Sequence, residues 1–282
     1  SVSIEFEPPE YNLNSAAKEA ADFRDFLIKE CNFKSDHVKS LLNEQATRQN
    51  IMSAFGDLWL PRVAMPDDLV VIFISTHGTP SAKDPGKKNF IVAHDTVQEA
   101  LFGSGVNMNE LMDDVKDRLK TDRVLIVMDA CYSGAAAAGA KGIAREGADN
   151  FRPDLFSQGC GRLVISSSSP EERSWESPDY DNGIFTHNLI KALRKKRDLL
   201  LAFEETKRAV LWEVQSNYGV AQTPFKGGDW KGIALELSAP PADPRALPAA
   251  LRDLERRQGE SAMKPPPVLL KRAGAISLSK PR

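Results

Sequence analysis

The sequence predicts an α/β protein: a mainly parallel central sheet, helices on both faces, and a Pro-rich C-terminal tail. Three observations predict it. Leu69 to Ser75, Arg123 to Met128 and Arg162 to Ser166 are short runs of almost unbroken apolar, β-branched character. Strands covered on both faces look like this, because neither row of side chains meets water. Helical periodicity lies between and around those runs. Finally, 41% apolar and 27% charged residues over 282 positions make a globular chain with a substantial core.

The elements follow in order. Ala16 to Lys29 and roughly Thr47 to Leu58 read as helices. Met108, Leu111, Met112, Val115 and Leu119 define another by their i, i+3, i+4, i+7, i+11 spacing, with Asn107 and Glu110 as a capping pair at its start. Ile184 to Arg194 and Glu204 to Ser216 complete the helices. Strands alternating with helices imply right-handed crossovers. Ala135 to Gly161 is rich in Ala and Gly without a period and reads as a long loop. Loops of that length are usually functional or disordered. Residues 239–282 hold eight of the 18 prolines, with nine basic against four acidic residues, a net +5. They read as an extended tail with one short helix near Leu247 to Gln258.

Charge and cysteine content exclude several classes. A net charge of -2, from 37 basic and 39 acidic residues, argues against a nucleic-acid binder, which needs a basic face. No apolar run approaches a membrane span, so no membrane partner is expected. Cys31, Cys131 and Cys160 make neither a disulfide framework nor zinc spacing, and a cytoplasmic location is the expectation. No glycine-rich phosphate loop follows any strand, which counts against a nucleotide-binding module.

Ligands of open α/β sheets bind at the carboxyl ends of strands. The first run leads into Ser75-Thr76-His77-Gly78 and the second into Asp129-Ala130-Cys131-Tyr132-Ser133-Gly134. Singly, such a cysteine is most often a small buried hydrophobe, and such a histidine a hydrogen-bonded structural residue. Together they are what thiol acyl transfer requires: a thiolate nucleophile and an imidazole that takes its proton and returns it to the leaving amine. Backbone N–H groups of Gly78 and Cys131 are candidate oxyanion donors. From the residues alone both readings stand open. His94 and Asp95 read as a solvated loop rather than a metal or relay pair, His187 as structural, and Cys31 and Cys160 as bystanders.

These motifs resemble those of the caspase-like superfamily, and most closely its metacaspases and prokaryotic orthocaspases. The histidine-glycine and D-x-C-x-S-G motifs stand in the family's order. Asn182-Gly183-Ile184-Phe185-Thr186 resembles its N-G-x-F-T segment, and Gln222-Thr223-Pro224 its Q-x-P. The resemblance covers roughly residues 2–237. It implies a caspase-like sheet and a peptidase domain over residues 1–238: a large-subunit part to about residue 134, a junction loop at 135–161 and a small-subunit part at 162–238. It further implies a cysteine endopeptidase with a His77 and Cys131 dyad. Two departures stand out. Val2 to Phe6 looks like the segment after the family's opening strand, as in a chain trimmed at its start. The stretch after His77 lacks the aspartate cluster of calcium-dependent members, with Asp84 and Asp95 well apart, so no metal or other cofactor is expected.

The resemblance also implies specificity for Arg or Lys before the scissile bond. Metacaspases build that pocket from an Asp two residues before the cysteine, a Ser two before the histidine, and an acidic residue in the early helix. Asp129, Ser75 and Glu19 match. Trp175 and Glu176 resemble the S-W-R segment of animal caspases, with the aspartate-binding Arg replaced by Glu176, while Trp175 flanks the neighbouring subsite. Lys141, Arg145 and Arg152 in the junction loop are candidate activation cleavage sites, for the enzyme itself or an upstream protease. The expected partners are proteins or peptides with basic cleavage sites and a possible regulatory protein. The competing reading is a catalytically silent caspase-like scaffold or binding module, which has no need to retain both dyad residues.

Overall fold

The computed structural model describes residues 2–3, 15–79, 84–132, 140–141, 162–169, 172–230 and 235–237. The chain divides into two compact units, Ser1–Pro244 and Arg245–Arg282, and all described residues belong to the first.

In chain order the strands are β1 (Val2–Ser3), β2 (Leu41–Leu42), β3 (Val70–Gly78), β4 (Phe90–Ile91), β5 (Val106–Asn107), β6 (Val124–Tyr132), β7 (Ala140–Lys141), β8 (Arg162–Ser166), β9 (Ser174–Trp175) and β10 (Phe225–Asp229). The α-helices are α1 (Ala16–Lys29), α2 (Arg48–Ser53), α3 (Leu60–Val63), α4 (Leu101–Ser104), α5 (Met108–Arg118), α6 (Ile184–Lys195) and α7 (Leu199–Tyr218). The main sheet runs β10-β8-β6-β3-β1-β2, with β4 and β5 attached beside β3. The five strands from β8 to β2 are mutually parallel, and β10 closes one edge antiparallel to β8.

Strand alternation divides the core into two layers. Ile72, Ile74, Ile126, Met128 and Val164 pack with Ile51, Leu60, Leu111 and Val115 from α2, α3 and α5. On the other face Phe73, Leu125, Val127, Leu163 and Ile165 pack with Phe23 and Leu27 of α1, Phe185 and Leu189 of α6, and Phe203 and Val210 of α7. Val70–Ile74, Val124–Met128 and Leu163–Ile165 are unbroken apolar runs because helices cover both faces of the sheet, as expected. At the β10 edge, Gly228 has φ of 107°, and a Cβ there would lie 2.1 Å from the Arg162 carbonyl oxygen. Only glycine lets this strand approach β8 so closely.

Helix starts follow local chemistry. Asn107 Oδ1 accepts from the N–H groups of Asn109 (3.0 Å) and Glu110 (3.4 Å), the cap expected for α5. Thr47 caps α2, which continues into a π-helical turn at Ala54–Leu58 instead of one regular helix. The helix expected from Glu204 begins earlier, at Leu199, where Asp198 caps it. Its first turn is obscured in the sequence because Leu201 is apolar yet 61% exposed, which breaks the periodicity.

Three expectations are corrected. Val2–Ser3 is itself a strand, parallel to β3 on one side and β2 on the other, rather than a segment following the opening strand. The strands β3 and β6 extend beyond their apolar runs, so His77 and Cys131 lie within the sheet's last paired residues and not after them. Backbone pairing needs no apolar side chain, so the hydropathy pattern ended the strands too early. Within the loop expected at 135–161, Ala140–Lys141 forms β7, antiparallel to β9.

Candidate active site

The site begins with the register of the two central strands. Position 75 pairs with 129, and position 77 with 131, in the parallel β3–β6 ladder. Neighbouring strands stand about 4.8 Å apart, so the backbones of His77 and Cys131 are immediate neighbours. Alternation places positions 75, 77, 129 and 131 on one face of the sheet, the face covered by α1 and α6. The β4 side braces this end: Val92 N–H donates to the His77 carbonyl at 3.0 Å, and Thr76 Oγ1 donates to the Val92 carbonyl at 2.9 Å. His77 is 6% exposed. The candidate oxyanion residues Gly78 and Cys131 belong to the ladder's last rungs, Gly78 opposite Tyr132.

Beneath this end three carboxylates gather. Glu19, on the first turn of α1, is fully buried. Its Oε2 accepts from Ser75 Oγ at 2.7 Å, and its Oε1 from Ser15 Oγ at 2.6 Å and Gly183 N–H at 2.7 Å. Asp129 is also fully buried, and its Oδ2 accepts from Thr186 Oγ1 at 2.6 Å. Ser15 Oγ lies 2.6 Å from Glu176 Oε1 as well, so a hydroxyl with one hydrogen stands between two carboxylates. Glu19 and Glu176 thus compete for the single Ser15 proton, Ser75 is bonded to Glu19, and the sheet register sets Asp129 beside Ser75. These are four of the five residues expected to bind substrate.

The fifth, Trp175, lies on β9, stacked on Tyr218 with ring centroids 4.2 Å apart. Tyr218 Oη donates to the Glu176 carbonyl at 2.6 Å, which ties α7 to this segment. Gln222 is fully buried; its Oε1 accepts from Trp175 N–H at 2.9 Å and its Nε2 donates to the Ser167 carbonyl at 2.8 Å. Glu176 forms an isolated antiparallel bridge with Gly183. Sequence reasoning assigned no role to Ser15, Thr186, Gly183, Gln222 or Tyr218. Gly183, Thr186 and Gln222 stood in segments already noted for their resemblance, which was the available signal. Ser15 and Tyr218 carried none.

Other singled-out residues stand apart. Asp95 Oδ1 accepts from Arg48 N–H at 2.7 Å, and both His94 and Asp95 are exposed. His187 stacks on Tyr180 at 3.9 Å, and burial, ahead of nearby Lys191, pulls its pKa down. Cys31 is buried in the core, and desolvation pushes its thiol up to about 12, which keeps it unreactive at neutral pH. Lys141 pairs through its backbone with Ser174 on β9. Arg145, Arg152 and Cys160 lie outside the described residues, as does the tail. Among the described residues no group of three or more His, Cys, Asp or Glu side chains could hold a metal ion, and no helix is long and apolar enough to cross a membrane.

A parallel sheet carrying a histidine and a cysteine at paired ends of adjacent central strands is the architecture of a caspase-type α/β protein. The sequence matches the family model described as Caspase domain over residues 3–226, and the chain belongs to this family of cysteine peptidases. Among solved structures it is similar to a crystal structure of a Geobacter sulfurreducens protein. The TM-score is 0.55 and the identity 17%, covering 80% of this chain and 92% of that one, a likeness of fold. No curated protein matches the sequence.

Proposed function

We propose that the chain is a cysteine endopeptidase that cleaves after Arg or Lys through a thioester acyl-enzyme. The observation that carries this reading is the register that sets His77 beside Cys131 and Ser75 beside Asp129, with Glu19 bonded to Ser75. Cys131 attacks the scissile carbonyl, and His77 takes the thiol proton and delivers it to the leaving amine. Water then hydrolyses the thioester with His77 as base. The N–H groups of Gly78 and Cys131 receive the oxyanion. Trp175 borders the adjoining subsite.

The basic specificity rests on charge. Buried carboxylates at the pocket base favour a guanidinium or ammonium, which brings several charged donors to them at once. Glu176 repels an aspartate side chain. Activation by cleavage in the 135–161 loop, after Lys141, Arg145 or Arg152, fits the pairing of Ala140–Lys141 along β9 next to Trp175. Cleavage would free that edge for an extended substrate.

Fluorogenic peptides differing only at the residue before the scissile bond test the claim. Arg and Lys peptides should be cleaved, and an Asp peptide not. Asp129→Ala should lower kcat/KM for Arg at least tenfold, as expected for losing a charged hydrogen bond partner. A preference for Asp, or unchanged Arg selectivity in Asp129→Ala, would refute the reading.

A further inference from the structure

We propose that the first turn of α6 anchors the basic-residue pocket, with Thr186 as the positioning residue for Asp129. This rests on the pocket reading above. Two pocket carboxylates from different elements meet the same turn. Gly183, the N-cap of α6, donates its N–H to Glu19 Oε1 at 2.7 Å. Thr186, three residues on, donates Oγ1–H to Asp129 Oδ2 at 2.6 Å. Both Thr186 and Asp129 are 0% exposed, so water does not compete for either group.

Orientation is what this contact provides. A threonine in a helix commonly spends its hydroxyl on a carbonyl one turn back, whereas here the proton goes to a carboxylate on a neighbouring strand. Charge-assisted bonds of this length are short and directional. With Oδ2 held, rotation of the Asp129 carboxyl is fixed, and Oδ1 with it. The helix itself cannot slide, because Ile184, Phe185 and Leu189 are fully buried against the sheet. Partial positive charge at a helix N-terminus favours carboxylates there over their neutral forms. The turn thus holds Glu19 through the Gly183 N–H and Asp129 through the Thr186 hydroxyl, and fixes the spacing between the two carboxylates.

The test uses the active enzyme and two peptides that differ only before the scissile bond, one with Arg and one with citrulline, its neutral isostere. In Thr186→Val the Arg-over-citrulline ratio of kcat/KM should fall about tenfold, the size of a lost hydrogen bond to a charged group. The loss should appear in KM for the Arg peptide more than in kcat, and Thr186→Ser should restore it. In an Asp129→Asn background Thr186→Val should lower the ratio no further, since the two act as one unit. Alkylation of Cys131 by iodoacetamide, which does not use the pocket, should persist. An unchanged ratio, or equal losses on both peptides, would overturn the proposal. Where Thr186→Val does not fold, Thr186→Cys, which keeps the volume and weakens the donor, takes its place. A lower Arg-over-citrulline ratio in Thr186→Cys supports the proposal, and an unchanged one overturns it. A wild-type enzyme indifferent to Arg and citrulline would sink the pocket reading, and this inference with it.

Discussion

Glu19 shows how a single side chain depends on the fold around it. A buried carboxylate costs several kcal/mol unless hydrogen bonds replace its water. Ser15, Ser75 and Gly183 supply donors from three separate segments. In the sequence Glu19 is only a charge on an amphipathic helix, and the family resemblance alone singled it out. His77 and Cys131 were more legible, because each sits by a glycine or a small residue where an apolar run ends. For these two, Cys131→Ala should abolish peptide cleavage while leaving the circular dichroism spectrum unchanged. Loss of His77 should cost nearly as much, because residues acting as a unit are not additive. Full turnover in Cys131→Ala would remove the thiol from the mechanism.

Among the elements, α6 carries both core and site. Its buried face packs Phe185 and Leu189 on the sheet, while its first turn meets Glu19 and Asp129. Farther along, His187 lies against Tyr180, whose hydroxyl donates to Glu213 Oε1 at 2.6 Å. Burial lowers the pKa of His187 below its ordinary 6.5, so the folded state resists the proton that the unfolded chain accepts. The sign follows from linkage: this contribution is intact above about pH 6.5 and is lost as pH falls toward the depressed value. Melting temperature should therefore decline as pH drops below about 6.5, and His187→Phe should decline less. Parallel melting curves for the two proteins would show no pH-dependent gap if the imidazole contributes nothing. Sequence periodicity located α6 to within a residue, since its apolar stripe is continuous. It missed β10, whose Phe225-Lys226-Gly227-Gly228-Asp229 has almost no strand propensity and pairs only because β8 is there to receive it.

For the molecule as a whole, the separation into units Ser1–Pro244 and Arg245–Arg282 carries a prediction. The two core layers draw their buried residues from the first unit, up to Leu237. Removing Arg245–Arg282 should leave the peptidase folded, with its midpoint of thermal unfolding changed by no more than a few degrees, and active on an Arg peptide. A truncation that aggregates, or that folds but does not turn over, would assign the tail to the domain or its site.

The sequence by itself determined the α/β class, the three central strands, most helices and the two motifs that bear His77 and Cys131, because these are local patterns of period, hydropathy and neighbouring glycine. Tertiary structure alone decided the rest. Register set residue 77 against residue 131 and residue 75 against residue 129, which depends on how two strands distant in sequence align. Packing of α1 and α6 against one face then brought Ser15, Glu19, Gly183 and Thr186 to those strands. A hydrogen bond between segments far apart in the chain leaves no periodic trace, so such partners emerge only when burial forces each polar group to find one.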